Sequence, residues 1–117
     1  MPVCQLCGEY EPTDAVDLVA VFGRKYELGF DADESARRTC PWHSVIRCRA
    51  GDISPASKDH LWVSADTRAA SSRLRQLAAT DERVELRQDG DDGVSVMVHV
   101  DNFGLVAPIM KPIKKAR

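Results

Sequence analysis

The sequence predicts an α+β protein composed of two small halves, and three of its features support that fold class. A chain of 117 residues suffices for one domain or for two very small ones. Two closely spaced pairs of cysteine or histidine residues lie within the first fifty positions and predict one compact unit there. In the second half, apolar residues at helical spacing from Ala70 to Ala78 and valines at every second position from 94 to 100 predict a helix packed on strands.

The first half, residues 1–50, is predicted to begin with a cysteine knuckle and a β-hairpin. The knuckle occupies residues 4–8, where the glycine at the last position allows a tight turn. Residues 16–22 and 25–30 are rich in residue types that favour strands, and Gly23 between them suits a hairpin turn. We therefore expect two antiparallel strands after the knuckle.

A helix over residues 41–49 is predicted to complete this half. Thr39 is a residue type that caps helices, and Pro41 suits the first helical turn because its missing N–H would have no partner there. Gly51 then marks the end of the helix.

Two ligand pairs predict one structural Zn²⁺ ion, bound by Cys4, Cys7, Cys40 and His43. Thiolates and imidazole nitrogens suit tetrahedral zinc, and the second pair spans one helical turn, so that both of its side chains would share a face. Cys48 competes with His43 as the fourth ligand. On the predicted helix it would lie about 12 Å from Cys40, which favours His43 and leaves Cys48 as a buried free thiol.

This order of elements resembles the treble-clef zinc domains. In that fold group a knuckle supplies two ligands, a hairpin follows, and the first turn of a helix supplies the other two. The resemblance covers residues 1–50 and rests on ligand spacing and element order. It implies a fold and a structural metal, and no particular activity.

The second half, residues 59–110, is predicted as a β-α-β-β unit with a short C-terminal helix. Its predicted elements are a strand from His60 to Ser64, a helix capped by Ser64 or Asp66 and ending near Ala79, a strand from Arg83 to Gln88, a strand of alternating valines from 94 to 100, and a helix within residues 102–110. The two halves are alternatively one joint domain over residues 1–110. Residues 111–117 are predicted to be a flexible tail.

Charge is distributed in blocks, although the net charge is only −2. Residues 36–79 carry eight bases and three acids, and residues 102–117 carry four bases and no acid. Acids dominate the two remaining blocks. Such blocks are either ordinary solvated surface or, if the two positive ones converge, a binding face.

The leading functional hypothesis is a non-catalytic, regulatory module that binds nucleic acid or a protein of the transcription or replication machinery. Arginines beside the two predicted helices carry this hypothesis, because clustered cations bind phosphates. The candidate binding residues are Arg37, Arg38, Arg47, Arg49, Arg68, Arg73 and Arg75.

Two alternatives remain open at the level of sequence. One is a protein–protein adaptor or inhibitor that has no nucleic-acid contact and takes its specificity from the charge blocks. The other is a small hydrolase or nuclease, since His99 lies near Asp101 and Asp59 precedes His60, and a carboxylate beside an imidazole supports general-base chemistry. No nucleophile or phosphate-binding loop accompanies these pairs, and no catalytic residue is assigned.

We expect a cytoplasmic protein. The first residues lack the basic start and apolar run of a signal peptide, and no apolar stretch approaches the ~20 residues of a membrane span. Reduced thiols in the cytosol are also compatible with metal binding.

Overall fold

The structure, a computed structural model, describes residues 15–30 and 44–115. Its elements, in chain order, are α1 (Leu18–Phe22), β1 (Leu28–Phe30), β2 (Ser44–Cys48), β3 (Gly51–Pro55), β4 (His60–Ala65), α2 (Arg68–Thr80), β5 (Val84–Gly90), β6 (Gly93–His99), a 3₁₀ turn (Val100–Asn102) and α3 (Phe103–Met110). Helices and strands therefore occur together in one fold, which confirms the α+β class.

The described strands form one six-stranded antiparallel sheet in the order β1-β2-β3-β4-β6-β5. Consecutive strands are neighbours except at β4, which pairs with β6. Helix α2 carries the chain from β4 to the outer edge, where β5 forms, and a tight turn then returns it as β6 between β5 and β4.

The core lies between the sheet and a layer formed by α2 and α3. Every second residue of β4 and β6 is fully or almost fully buried, as expected for strands with one face against helices: Leu61, Val63, Ala65, Val94, Val96 and Val98. Helix α2 contributes Ala70 and Leu74 to this core, and α3 contributes Val106 and Met110. Helix α2 packs against β4, β5, β6 and α3.

Helix α2 begins and ends close to its predicted bounds, but its cap differs. Thr67 is the N-cap, and its hydroxyl oxygen accepts a hydrogen bond from the Ala70 N–H at 3.2 Å. Neither Ser64 nor Asp66 takes this role, because β4 continues through Ala65 and the chain reaches the helix only at Arg68. The order strand, helix, strand, strand and short helix occurs as predicted for the second half.

The predicted hairpin of the first half is wrong, although β1 (Leu28–Phe30) lies within its second predicted strand. Residues 18–22 form α1, whose N-cap Asp17 accepts a hydrogen bond from the Ala20 N–H at 3.1 Å. Leu18 and Phe22 are four residues apart, so a helix buries both on one face. The ring centroids of Phe22 and of Phe103 in α3 are 4.6 Å apart. Tertiary burial thus overrides the strand preference of the valines between them.

The predicted helix over residues 41–49 is also wrong, because Ser44–Cys48 is the strand β2. Val45 and Ile46 are β-branched and favour a strand, and Ile46 pairs with Ile53 of β3 in the fully buried core. The predicted order of knuckle, hairpin and helix is therefore absent from the described residues, and the treble-clef resemblance does not hold. The proposed division into domains stays a prediction.

Leu74 provides a test of the helix–sheet core. It is completely buried on α2, so Leu74→Ala should lower the free energy of unfolding by about 2–5 kcal/mol through lost burial and a residual cavity. Urea unfolding followed by circular dichroism measures this change. The matched control is Gln76→Ala on the exposed side of the same helix, which should change stability by less than about 0.5 kcal/mol. Equal losses in the two variants would contradict the packing described.

Candidate functional site

The prediction of a bound zinc ion is overturned. Within residues 15–30 and 44–115, no group of three or more histidine, cysteine, aspartate or glutamate side chains is arranged to hold a metal ion. The four predicted ligands, Cys4, Cys7, Cys40 and His43, lie outside the described residues. The geometric basis of the prediction also fails, because the chain after His43 is a strand and not the helix whose turn was to align the second pair.

A groove lined by three cations lies where the β2–β3 turn, the start of α2 and the end of α3 meet. Arg49, Arg73 and Lys111 each come from one of these elements. The other lining residues are small or apolar apart from one threonine: Ala50, Thr67, Ala69, Ala70 and Ile109. The cavity measures about 200 Å³, and no described carboxylate lines it. We refer to it as the basic groove.

Three backbone hydrogen bonds hold the walls of the basic groove together. The Arg49 N–H donates to the Lys111 carbonyl at 3.0 Å, and the Ala50 N–H donates to the Met110 carbonyl at 3.2 Å. The Asp66 N–H donates to the Ala50 carbonyl at 2.8 Å, which places the start of α2 beside the same turn. The three cations are therefore brought together by main-chain pairing.

The chain after α3 pairs through its backbone with two earlier segments that also carry cations. The Ile113 N–H donates to the Arg47 carbonyl at 2.9 Å, and the Lys115 N–H donates to the Lys25 carbonyl at 2.9 Å. Segments from the two positive sequence blocks consequently lie side by side. Lys111 was not among the predicted binding residues, although the basic block at residues 102–117 was a signal for it.

The other predicted arginines are placed differently. Arg68 and Arg75 share a second cavity of about 430 Å³ on another side of α2. Its lining also contains acidic residues: Asp66, Asp91 and Asp92. Arg75 forms an ion pair with Asp89 at 2.7 Å, so its charge is already compensated. Arg37 and Arg38 lie outside the described residues.

Two histidine–aspartate pairs that are distant in sequence meet at the other end of β4. His60 and His99 are direct partners in the β4–β6 register, and their ring centroids are 5.2 Å apart in an edge-to-face arrangement. Asp59 lies between them, with one carboxylate oxygen 2.7 Å from His60 Nδ1 and the other 3.8 Å from His99 Nε2. Asp101 lies 3.5 Å from His99 Nδ1. We call these four residues the histidine cluster.

Hydrogen bonds in the histidine cluster indicate which ring nitrogens donate and which accept. The His60 hydrogen bond lowers the pKa of the Asp59 carboxyl below its ordinary value, so this carboxylate is ionised and accepts the Nδ1–H of His60. The backbone N–H of Asp101 donates to His99 Nδ1 at 3.1 Å, so that nitrogen carries no proton. Neutral His99 is therefore the Nε2–H tautomer.

Ser57 is not placed as a nucleophile activated by His60. Its hydroxyl oxygen lies 3.2 Å from the Asp59 carboxylate and 3.5 Å from His60 Nδ1. In a serine–histidine–aspartate triad the serine and the aspartate contact opposite nitrogens of the imidazole. Here both lie at Nδ1, which already donates to Asp59 and cannot take the serine proton.

Cys48 is a free thiol on β2, half-buried beside the sheet core. Burial raises the pKa of its thiol to about 12, and the nearby carboxylates of Asp52 and Asp66 act in the same direction. Its S–H group donates to the Ile46 carbonyl at 3.6 Å. A thiol in this environment is protonated at neutral pH, unlike the thiolates that act as nucleophiles or metal ligands.

Comparisons with family models, with curated proteins and with solved structures found no significant match. Among the described residues, no helix combines the length and apolar character needed to cross a bilayer.

The raised pKa of Cys48 predicts slow alkylation in the folded protein. At pH 8 a thiol with a pKa of about 12 should react with iodoacetamide more than about a hundredfold slower than the same thiol in the urea-unfolded chain. Peptide mass spectrometry measures modification at Cys48 separately from the other cysteines. Comparable rates in the folded and unfolded chains would contradict the environment described.

The same shift predicts the sign of a pH effect on stability. The folded protein keeps the Cys48 proton up to about pH 12, whereas an unfolded thiol loses it near its ordinary value of 9.0. The unfolded state therefore binds fewer protons above pH 9, and this thiol's contribution to the free energy of unfolding falls as the pH rises further. Cys48→Ala should show a smaller decline than the unmodified protein in urea titrations at pH 8 and pH 10.

Proposed function

We propose that this protein is a non-catalytic module that binds nucleic acid through phosphate contacts in the basic groove. The single observation that carries the proposal is the convergence of Arg49, Arg73 and Lys111 from three separate elements, without a carboxylate among the described lining residues. Arg49, Arg73 and Lys111 form no ion pair with another described residue. Their charges are therefore not compensated in the way that the charge of Arg75 is compensated by Asp89.

Electrostatics gives such a groove an affinity for phosphates. Two guanidinium groups present planar forks of N–H donors that match phosphate oxygens, and the lysine ammonium adds a third positive charge. Neutralising backbone phosphates releases condensed counterions, which drives binding and makes it depend steeply on salt. Arg47 is hydrogen-bonded through its carbonyl to Ile113, but its guanidinium lies over Gly29 of β1, so it is not counted among the groove cations.

A regulatory role follows from binding without catalysis. No chemical step is proposed for the histidine cluster, because the Ser57 hydroxyl, the described hydroxyl bonded to His60, contacts the nitrogen that already donates to Asp59. The module then acts by binding a nucleic acid, or by binding a protein of the transcription or replication machinery that is attached to it.

A protein–protein adaptor is the second candidate, and α1 favours it. Val19 and Val21 on this helix are 60% and 57% exposed, whereas most large apolar side chains of the described residues are buried. A partner that covered α1 would remove these two apolar side chains from water, which favours association. The adaptor predicts no salt-dependent affinity for oligonucleotides of random sequence.

The experiment is a salt titration of binding to a random duplex and to a random single strand. The variant replaces Arg49, Arg73 and Lys111 by glutamine, which keeps much of their length and removes their charge. If each cation neutralises a phosphate, the slope of log affinity against log salt should fall by about 0.9 per contact for the duplex and about 0.7 for the single strand.

Arg68→Gln is the matched control, since Arg68 is an exposed arginine of the same helix α2 but lies beside aspartates. It should leave the slope nearly unchanged. Circular dichroism confirms that each variant is folded. Failure of the unmodified protein to bind either oligonucleotide at low salt would reject the proposal and favour the adaptor. An equal fall of this slope in Arg68→Gln would show that the interface is not confined to the basic groove.

A further inference from the structure

The His99 side chain caps the start of the C-terminal helical segment. It is the N-cap of the 3₁₀ turn Val100–Asn102, and its Nδ1 accepts a hydrogen bond from the Asp101 N–H at 3.1 Å. The turn continues directly into α3, whose Val106 and Met110 are completely buried. Helix caps satisfy N–H groups that have no partner within the helix.

Histidine differs from the usual capping residues because a proton can remove its acceptor. The oxygens of serine, threonine, asparagine and aspartate keep a lone pair for the cap at neutral pH. An imidazole accepts through Nδ1 only while that nitrogen is unprotonated, and both nitrogens are donors in the imidazolium form. Histidine ordinarily changes charge between pH 5 and 8.

The surroundings of His99 offer the protonated ring a different set of partners. Its Nδ1 lies 3.5 Å from the Asp101 carboxylate, and its Nε2 lies 3.8 Å from Asp59. The neighbouring segments carry these charged and titratable groups: Lys58, Asp59 and His60 up to the first residue of β4, Asp101 in the turn, and Asp81, Glu82, Arg83 and Glu85 around the start of β5. Asp81 is paired with Arg83 at 2.7 Å and Glu85 with Arg87 at 3.1 Å. Among the described residues, the carboxylates within 4 Å of the His99 ring nitrogens are those of Asp59 and Asp101.

We propose that His99 is a proton-operated cap. In the neutral state Nδ1 accepts the Asp101 N–H and holds the first turn of the C-terminal helical segment. On protonation that bond is lost, and the new Nδ1–H donates to the Asp101 carboxylate while Nε2–H faces Asp59. The segment then starts with an N–H that has lost its acceptor, and its first turn opens more often.

The cap operates whether or not the basic groove binds nucleic acid. Helix α3 nevertheless connects the histidine cluster with the basic groove. It begins just after the histidine cluster, and its C-cap residue Lys111 lines the groove. Opening of the first turn therefore acts on an element that also forms part of the groove.

Hydrogen exchange and NMR of the full-length chain between pH 8 and pH 5 test the proposal. The protection factor of the Asp101 amide, corrected for the intrinsic pH dependence of exchange, should be roughly fivefold lower when His99 is protonated, as expected for loss of a helix cap. The ¹⁵N chemical shifts of the ring should identify the Nε2–H tautomer at pH 8. An Nδ1–H tautomer at that pH would overturn the proposal without any variant.

His99→Asn provides the matched variant, because asparagine caps helices and cannot be protonated in this range. Its Asp101 amide should keep one protection factor from pH 8 to pH 5. His60→Gln removes the other imidazole of the histidine cluster and should retain the wild-type change. A pH-independent Asp101 amide in the unmodified protein, or the same change in His99→Asn, would show that His99 is not the switch.

Discussion

The antiparallel pairing of β4 with β6 is the interaction on which the rest of the structure depends. Its register places Leu61 opposite Val98 and Val63 opposite Val96, so that two fully buried rows face the helix layer. A shift by one residue would turn these rows toward the opposite face of the sheet and lose their burial. Since β5 precedes β6 along the chain but lies on its far side in the sheet, the chain must cross from β4 to the outer edge. Helix α2 makes this crossing, and its apolar face covers the buried rows of β4 and β6.

The same pairing determines where functional chemistry can occur. At one end of β4 it sets His60 opposite His99, and at the other end Ala65 leads into the turn before α2 and the basic groove. A strand of this length separates the two regions by about 17 Å. Helix α3 starts near the first region and ends in the second. A single strand pair and one short helix therefore position both groups of residues.

Helix periodicity and main-chain contacts together decide where the charges of this protein lie. Arg73 and Arg75 are two residues apart and so lie on different faces of α2: Arg73 lines the basic groove, whereas Arg75 is paired with Asp89 of β5. Lys111 reaches the groove because the end of α3 is hydrogen-bonded to the β2–β3 turn. A nearly neutral net charge is thus compatible with a local positive surface, since compensation occurs elsewhere on the fold.

The sequence by itself determined the elements from β4 to α3, most clearly α2 and β6 with their long periodic patterns, and with them the α+β class. It failed where the decisive partner is remote: residues 18–22 form a helix because Phe22 packs on Phe103, and β2 is a strand because Ile46 pairs with Ile53. The likeness to a zinc fold rested on ligand spacing and on an element order that included a strand and a helix at these two places. Only the tertiary structure places Arg49 beside Lys111, and His60 opposite His99. Periodicity is a property of adjacent residues, whereas the choice of partner depends on burial shared across the whole chain.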